Sequence, residues 1–314
     1  AVVGSAVTIS SDGIDAVGVA ITAANINGGQ IGRRNKIING GMRINQRGED
    51  ATVTFSANSV PSVDRWHCDM SSDGSASIQR SSDYPAGSGT DKSLLVTITS
   101  ADSSIGAAQY MYIRQILEGN DMADAAFGLS SAKTCTLSFW VKCSVTGTFG
   151  GSLWNNSFNR SYPYNYTINS ADTWEKKVIV IPGDTSGTWL TTSGRGINIG
   201  WAFGIGSNYV GTANQWNGAG DLAPTSHVNM LATNGATWRI TAVQFEIGDQ
   251  PTPFESRPRS EELALCQRYF FNIKGDNQYR TNIPAFANST TTCRAMVSFP
   301  TPMRATPTFT GSAT

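Results

Sequence analysis

Hydrolytic chemistry could start from the carboxylates Asp64, Asp69, Glu118, Asp121, Asp124, Asp184 and Glu246. Glycosidic cleavage needs two carboxyl groups roughly 5–10 Å apart across a cleft. Most of these residues stand beside turns or next to arginine, as in "DRW" at 64–66, which suits salt-bridged or solvated side chains better. Asp184, in "PGDTSGTW", reads as a turn former whose carboxylate bonds backbone donors two residues on. The two histidines, His67 and His227, are far apart, and the sequence holds neither an H-E-x-x-H motif nor a G-x-S-x-G elbow. His67 reads as a neutral histidine in a half-buried strand and His227 as the opening of another. "GRGINIG" and "GIGS" precede strands rather than helices, so they are poor phosphate cradles. No D-x-D-x-D-G calcium loop is present. The expectation is a protein that is not an enzyme and uses no cofactor or metal.

Sugar recognition is better motivated. Pyranose rings stack on the faces of Trp and Tyr, whose rigid amphipathic surfaces cost little entropy to fix. Among 8 Trp, Trp66, Trp140, Trp174 and Trp238 fall in strand-like runs and read as packing residues. The stretch "SLWNNSFNRSYPYNYT" reads instead as a loop, with Trp154, Tyr162, Tyr164 and Tyr166 interleaved with Asn and Ser that can bond sugar hydroxyls. A second loop, "NYVGTANQWNGAGD", carries Tyr209 and Trp216. These six are the glycan-binding candidates if exposed. The competing reading is that they fill a subunit interface or cap the end of the fold.

The elements that must position them are strands. Segments such as "SASIQRSSD", "KSLLVTITSAD", "AQYMYIRQILEG" and "ITAVQFEIG" alternate apolar and polar residues and are spaced by turns, giving about ten to twelve strands through residue 248. "IINGGMRINQRG" alternates in the same way around an Asn-Gly-Gly turn, and "NDMADAAFG" is a short helix. The fold class expected is an all-β jelly-roll sandwich over 37–258. Residues 1–36 carry Asp-Gly and Gly-Gly turn signals between short β-branched runs, too little to bury a core, and read as an attachment or stalk segment. Residues 259–314 begin with a helix and return to strand, ending in a Pro-rich stretch. Pro251 and Pro253 stop the strand before that helix and free Phe254 to tuck under the sheet edge. Ser260 is expected to cap the helix, Glu261 and Glu262 to suit its dipole, and Leu263, Cys266, Gln267 and Phe270 to form its docking stripe.

Composition agrees with this architecture. Only 15% of the 314 residues are charged, and Lys plus Arg (23) balance Asp plus Glu (23), so nothing supports a nucleic-acid partner. No run of 18 apolar residues exists for membrane insertion. Of five cysteines, Cys135 and Cys143 lie on one face of a strand, about 26 Å apart at about 3.3 Å per residue, too far to pair. The thiols read as reduced core residues, which fits assembly in a reducing cytoplasm.

The ordered set "NGGMRINQRG", "VDRWHCD", "ILEGND", "TLSFWVKCSVTG", "TWEKKVIVIPGDTSGTW", "ITAVQFEIGDQPTPFESRP" and "ELALCQRYF" resembles a module of bacteriophage and prophage tail-fibre proteins over about residues 38–271. "LSFWVK" and "ITAVQFEIG" also resemble carbohydrate-binding jelly rolls, with Ala242 standing where Gly is common. The resemblance implies a virion protein, homotrimeric, bound to other tail or baseplate proteins and contacting host-surface polysaccharide. The alternatives are a capsid- or tail-decorating protein that binds no receptor and, third, a polysaccharide depolymerase.

Overall fold

The computed structural model describes residues 8–10, 13–15, 25–26 and 29–30, then 32–48, 50–57, 60–61, 63–273 and 285–309. The stalk expectation falls largely outside the described residues, as does the run Val17–Ile21; within them, Thr8–Ser10 pairs with Gly13–Asp15, and Asn25–Ile26 with Gly29–Gln30.

The expected sandwich is present. Its strands are β1 (Val53–Ala57), β2 (Trp66–Ser81), β3 (Ser93–Ser100), β4 (Tyr110–Glu118), β5 (Cys135–Cys143), β6 (Gly147–Trp154), β7 (Ser161–Ile168), β8 (Glu175–Ile181), β9 (Arg195–Ile205) and β10 (Thr237–Ile247). With the short piece Val60–Pro61 they form one eleven-stranded sheet, wholly antiparallel, along the path β7-β6-β9-β4-β2-β3-β10-β5-β8. The sixteen-residue β2 is the corner. Its first half, Trp66–Ser71, pairs with β4, and its second half, Ser75–Ser81, pairs with β3 and β1. One half thus belongs to a first sheet (β7-β6-β9-β4) and the other to a second (β3-β10-β5-β8), and the two close over a shared core as a jelly roll.

Period-2 alternation builds that core. In β4, Met111, Ile113, Gln115 and Leu117 point inward while Tyr110, Tyr112, Arg114 and Ile116 face out. Trp66, Phe139, Trp201 and Tyr166 meet ring to ring between the sheets at 5.3–5.6 Å. Cys135 and Cys143 share the inward face of β5, and with Cys68 and Cys266 they are buried free thiols whose pKa burial pushes up. β10 breaks phase once. Ser138 faces Gln244 but Trp140 faces Thr241, so β10 holds an extra residue, and Ala242 takes φ +49 at this bulge. Ile240 therefore reaches the core on the same side as Val243, Phe245 and Ile247, which strict alternation would have separated.

"IINGGMRINQRG" departs from expectation. It is not a hairpin but an irregular plug at the open end of the sandwich. Ile37, Met42 and Ile44 are fully buried, while the backbone of Ile38 both donates to and accepts from the inward Gln115 amide at 2.8 Å. Asn39 and Met42 hold φ +58, closing a turn that no ladder could use. Gly40 passes so close to β10 that a Cβ there would lie 2.1 Å from the Val243 carbonyl oxygen. Phe254 is half-buried over Gly41 and Gly89, the tuck expected after the two prolines.

Helix α2 (Arg259–Gln267) docks on this plug, and α1 (Gly119–Met122) is the short helix foreseen at "NDMADAAFG". Glu261 and Glu262 occupy the first turn of α2 as expected, but its cap is Pro258 without a side-chain bond, and Ser260 lies inside the turn. Of the expected stripe, Leu263 and Cys266 pack on Ile38 and Ile44, and Phe270 lies under the Arg47 guanidinium of the plug at 3.6 Å; Tyr269 and Glu262, which accepts the Asn39 N–H, join them. Glu118 at the end of β4 locks the helix exit, taking two bonds from Arg268 at 2.8 Å and one from Tyr269.

Candidate functional site

The outer face of the first sheet carries a closed circuit of five rings. Tyr110 and Tyr112 come from β4, Trp154 from β6, Phe158 from the turn after it, and Tyr209 from the loop after β9. Successive centroids lie 5.5 Å (Tyr110–Tyr112), 5.7 Å (Tyr112–Trp154), 6.2 Å (Trp154–Phe158), 6.4 Å (Phe158–Tyr209) and 5.8 Å (Tyr209–Tyr110) apart. Tyr112 and Trp154 are the buried floor; Tyr110, Phe158 and Tyr209 are the half-exposed rim. Trp154 lies flat because Gly200 beneath it has no side chain, and a Cβ there would meet the indole at 2.8 Å. Exposed Asn156, Ser157, Asn159, Ser207 and Asn208 flank the rim rings and offer amides and hydroxyls beside apolar faces.

A polar relay continues the floor. Arg114 grips Asp69 with Nε 2.8 Å and Nη2 3.1 Å from its carboxylate, and its Nη1 donates to Asn198 Oδ1 at 3.4 Å. Asn198 Nδ2 in turn donates to the Trp154 carbonyl at 3.3 Å. His67 lies opposite Arg114 across the ladder. Burial first, then Arg114, Arg65, Arg47 and Arg195, lower its pKa to about 4. It is neutral at pH 7 in a half-buried strand, as read from sequence. Burial, with the Asp69 charge next, raises the Tyr112 phenol, which stays protonated.

The six expected glycan residues separate. Residues 152–167 are not a loop: β6 and β7 form a hairpin with Trp154 opposite Ser161. Period 2 puts Tyr162, Tyr164 and Tyr166 on one face, and that face is the core. Tyr164 donates to the Gly200 carbonyl at 2.9 Å, Tyr166 accepts from Trp238 Nε1 at 3.2 Å, and Tyr162 packs against Trp216 at 5.2 Å. Their buried faces are closed to a sugar. Trp154 is buried too, yet it floors the circuit; Tyr209 is on the rim; Trp216 is half-buried elsewhere, against Phe127 and Trp189. Tyr110, Tyr112 and Phe158 were missed. The alternation in "YMYIR" signals Tyr110 and Tyr112 together on an outward face, whereas nothing local marks Phe158.

Six of the seven carboxylates are engaged; Asp121 is exposed, and partial burial followed by the Glu118 charge pushes its carboxyl up. Asp64 accepts from the Gln46 backbone, Asp124 from Lys36, Glu246 from Thr252, and Asp184 from Arg160 at 2.8 and 2.6 Å. Asp184 also accepts the Ser186 N–H two residues on, the turn bond expected of it. Among the described residues no group of three or more His, Cys, Asp and Glu is placed to hold a metal ion. His227 does not open a strand; it ties its loop to β9 by accepting the Ile205 N–H at 3.2 Å.

No family model matches the chain, and no curated protein does. Among solved structures, it is similar to the enzymatically active domain of tailspike protein 4 of bacteriophage CBA120, at 11% identity over 68% of this chain with TM-score 0.35. The chain spans 21% of that domain's length. It is also similar to a family 11 carbohydrate-binding module from Clostridium thermocellum in complex with a β-1,3-1,4-mixed-linked tetrasaccharide, at 14% identity over 65% of this chain and 100% of that one, TM-score 0.33. A third is TmCBM61 in complex with β-1,4-galactotriose, at 11% identity over 68% and 99%, TM-score 0.33.

Proposed function

We propose that this chain is a non-enzymatic structural protein of a bacteriophage tail fibre, trimeric, whose sandwich meets host-surface glycan through the five-ring circuit. The circuit carries the reading: three half-buried rings, one on the sheet and two on the turns beside it, surround a buried floor, with exposed amides and hydroxyls next to them and an Arg–Asp–Asn relay holding the floor. Ring faces take the apolar face of a pyranose, and the flanking polar groups take its hydroxyls. The sheet pre-organises the floor and Tyr110, and the mutual ring contacts hold Phe158 and Tyr209 against it, which lowers the ordering entropy that opposes binding. Six of the seven candidate carboxylates are partnered, and the seventh, Asp121, stands in α1 beyond the end of β4 opposite to Tyr110, which favours binding over cleavage at the circuit.

A glycan array with the whole chain is the test. Binding that is lost in Tyr209→Ala and retained in Trp140→Ala, on the second sheet, supports the proposal. Array silence, together with labelling of the protein on phage particles, favours the decorating role. Release of reducing ends from polysaccharide would overturn the non-enzymatic part.

A further inference from the structure

The turn that carries Phe158 also grips a second, different surface. Asn155 Nδ2 donates to the Thr188 carbonyl at 3.1 Å, and Arg160 pairs with Asp184. These contacts fix the loop between β8 and β9, which faces the loop between β4 and β5 across a cavity of about 150 Å³. Met122, Ala123, Phe127, Leu129, Trp189 and Thr191 line it. Phe127 and Trp189 meet edge to face at 5.2 Å, and Trp216 backs both at 5.7 and 5.5 Å.

The chemistry of the lining restricts what it can take. Trp189 Nε1 donates to the Ser186 carbonyl at 3.1 Å and Trp216 Nε1 to the Pro182 carbonyl at 2.7 Å, so the indoles offer carbon and no donor. Asp184 is neutralised by Arg160. Leu129, 59% exposed, stands at the mouth, and the Thr191 hydroxyl supplies a polar group at the rim. An apolar cavity of this size holds a benzene-sized group. A bare hexose would lose hydroxyl hydration there without compensation. An acetyl group has a methyl to bury and one carbonyl for a hydroxyl donor.

We infer that this cavity is a subsite for the acetyl group of an acetylated sugar, in a glycan that also lies on the aromatic circuit. The inference rests on the proposed function, because the 155–160 turn joins the two surfaces. Burying one methyl against carbon should strengthen binding about five- to tenfold over the unacetylated sugar.

Fluorine NMR of the whole chain labelled with 5-fluorotryptophan, with Trp189 assigned through Trp189→Phe, reads the subsite directly. Titration with N-acetylglucosamine should shift the Trp189 signal saturably, and glucose should not. Ala123→Leu, at an exposed position with ordinary helical φ, should abolish the shift, and Thr191→Val should weaken it severalfold. A Trp189 signal that ignores N-acetylglucosamine, answers glucose equally, or is unchanged in Ala123→Leu overturns the inference. A silent Trp189 alongside array binding that needs Tyr209 overturns the subsite and leaves the proposed function standing. A responding Trp189 without circuit-dependent array binding does the reverse.

Discussion

The plugged end and the aromatic face are built from similar residue types, and they use them in opposite ways. At the plug, Asn39, Gln115, Glu262 and Arg257 spend their hydrogen bonds on backbone groups of residues 35–44, and the apolar side chains between them are closed off. On the face, Tyr110, Phe158 and Tyr209 keep part of each ring in solvent, and the amides beside them stand exposed. Satisfying polar groups internally gives stability; leaving them beside open rings leaves them for a ligand. Substitutions should therefore separate the two regions by what they damage.

The largest effect belongs to the plug. Asn39→Ala removes side-chain bonds to the backbones of Ile44 and Asp64 and leaves alanine at φ +58. A loss of about 3 kcal/mol is expected in urea unfolding, with glycan affinity of the remaining folded protein unchanged. Equal damage to affinity would break the comparison.

Next comes His67, which adjoins the face but acts on stability. From its ordinary 6.5 the folded value is lowered to about 4. Between those values the unfolded chain binds a proton that the folded chain refuses, so stability falls as pH drops through that window and levels off below it. The expected loss is on the order of 2 kcal/mol between pH 7 and pH 4, and His67→Asn should flatten that part of the profile. Unfolding midpoints across the range check it. Glu118 adds a separate acid-sensitive element. Burial pushes its carboxyl up, but bonds from Arg268 and Tyr269 and the nearby guanidinium charges outweigh this and hold it below the usual value. Its stabilisation is present above the unfolded pKa and lost as pH falls through the lower folded one.

Tyr209→Ala sharpens the other side. The ring is half-buried on the rim, so truncation should cost about tenfold in glycan affinity, about 1.4 kcal/mol, while unfolding stability falls by about 1 kcal/mol, less than for Asn39→Ala, through the lost contacts with Tyr110 and Phe158. Trp140→Ala on the opposite sheet should leave affinity as it is. The smallest effect is a gain. Ala242→Gly relieves the left-handed backbone in β10 at the loss of one buried methyl, and about 0.5 kcal/mol of added stability should appear as a slightly higher Tm.

Ala242 also shows how far sequence reading reached. Its place in a pattern where Gly is common was visible in the sequence, and only the structure supplies the reason, a bulge with a left-handed residue. Helix α2, its acidic first turn and most of its docking stripe were legible because local propensity and the helical period settle them, but Glu262 and Tyr269 were not, since Ile38, Asn39 and Ile44, more than 200 residues away in the chain, widen the buried side. "SYPYNYTI" reads as a strand by its period of two, and it is one; grouping it with Trp154 into a sugar-binding loop fails because its tyrosines occupy the core face of that strand.

What the amino-acid order determined by itself was local: strand-length alternation, turns at Gly and Asp, one amphipathic helix and unpaired cysteines, all properties of neighbours on the chain. Tertiary structure alone decided which aromatic rings reach solvent. Trp154 and Tyr209 are separated by 55 positions and meet Tyr110 only after β2 turns its corner and the loop after β9 folds back. Exposure is a property of what lies above a side chain, and distant segments supply that cover.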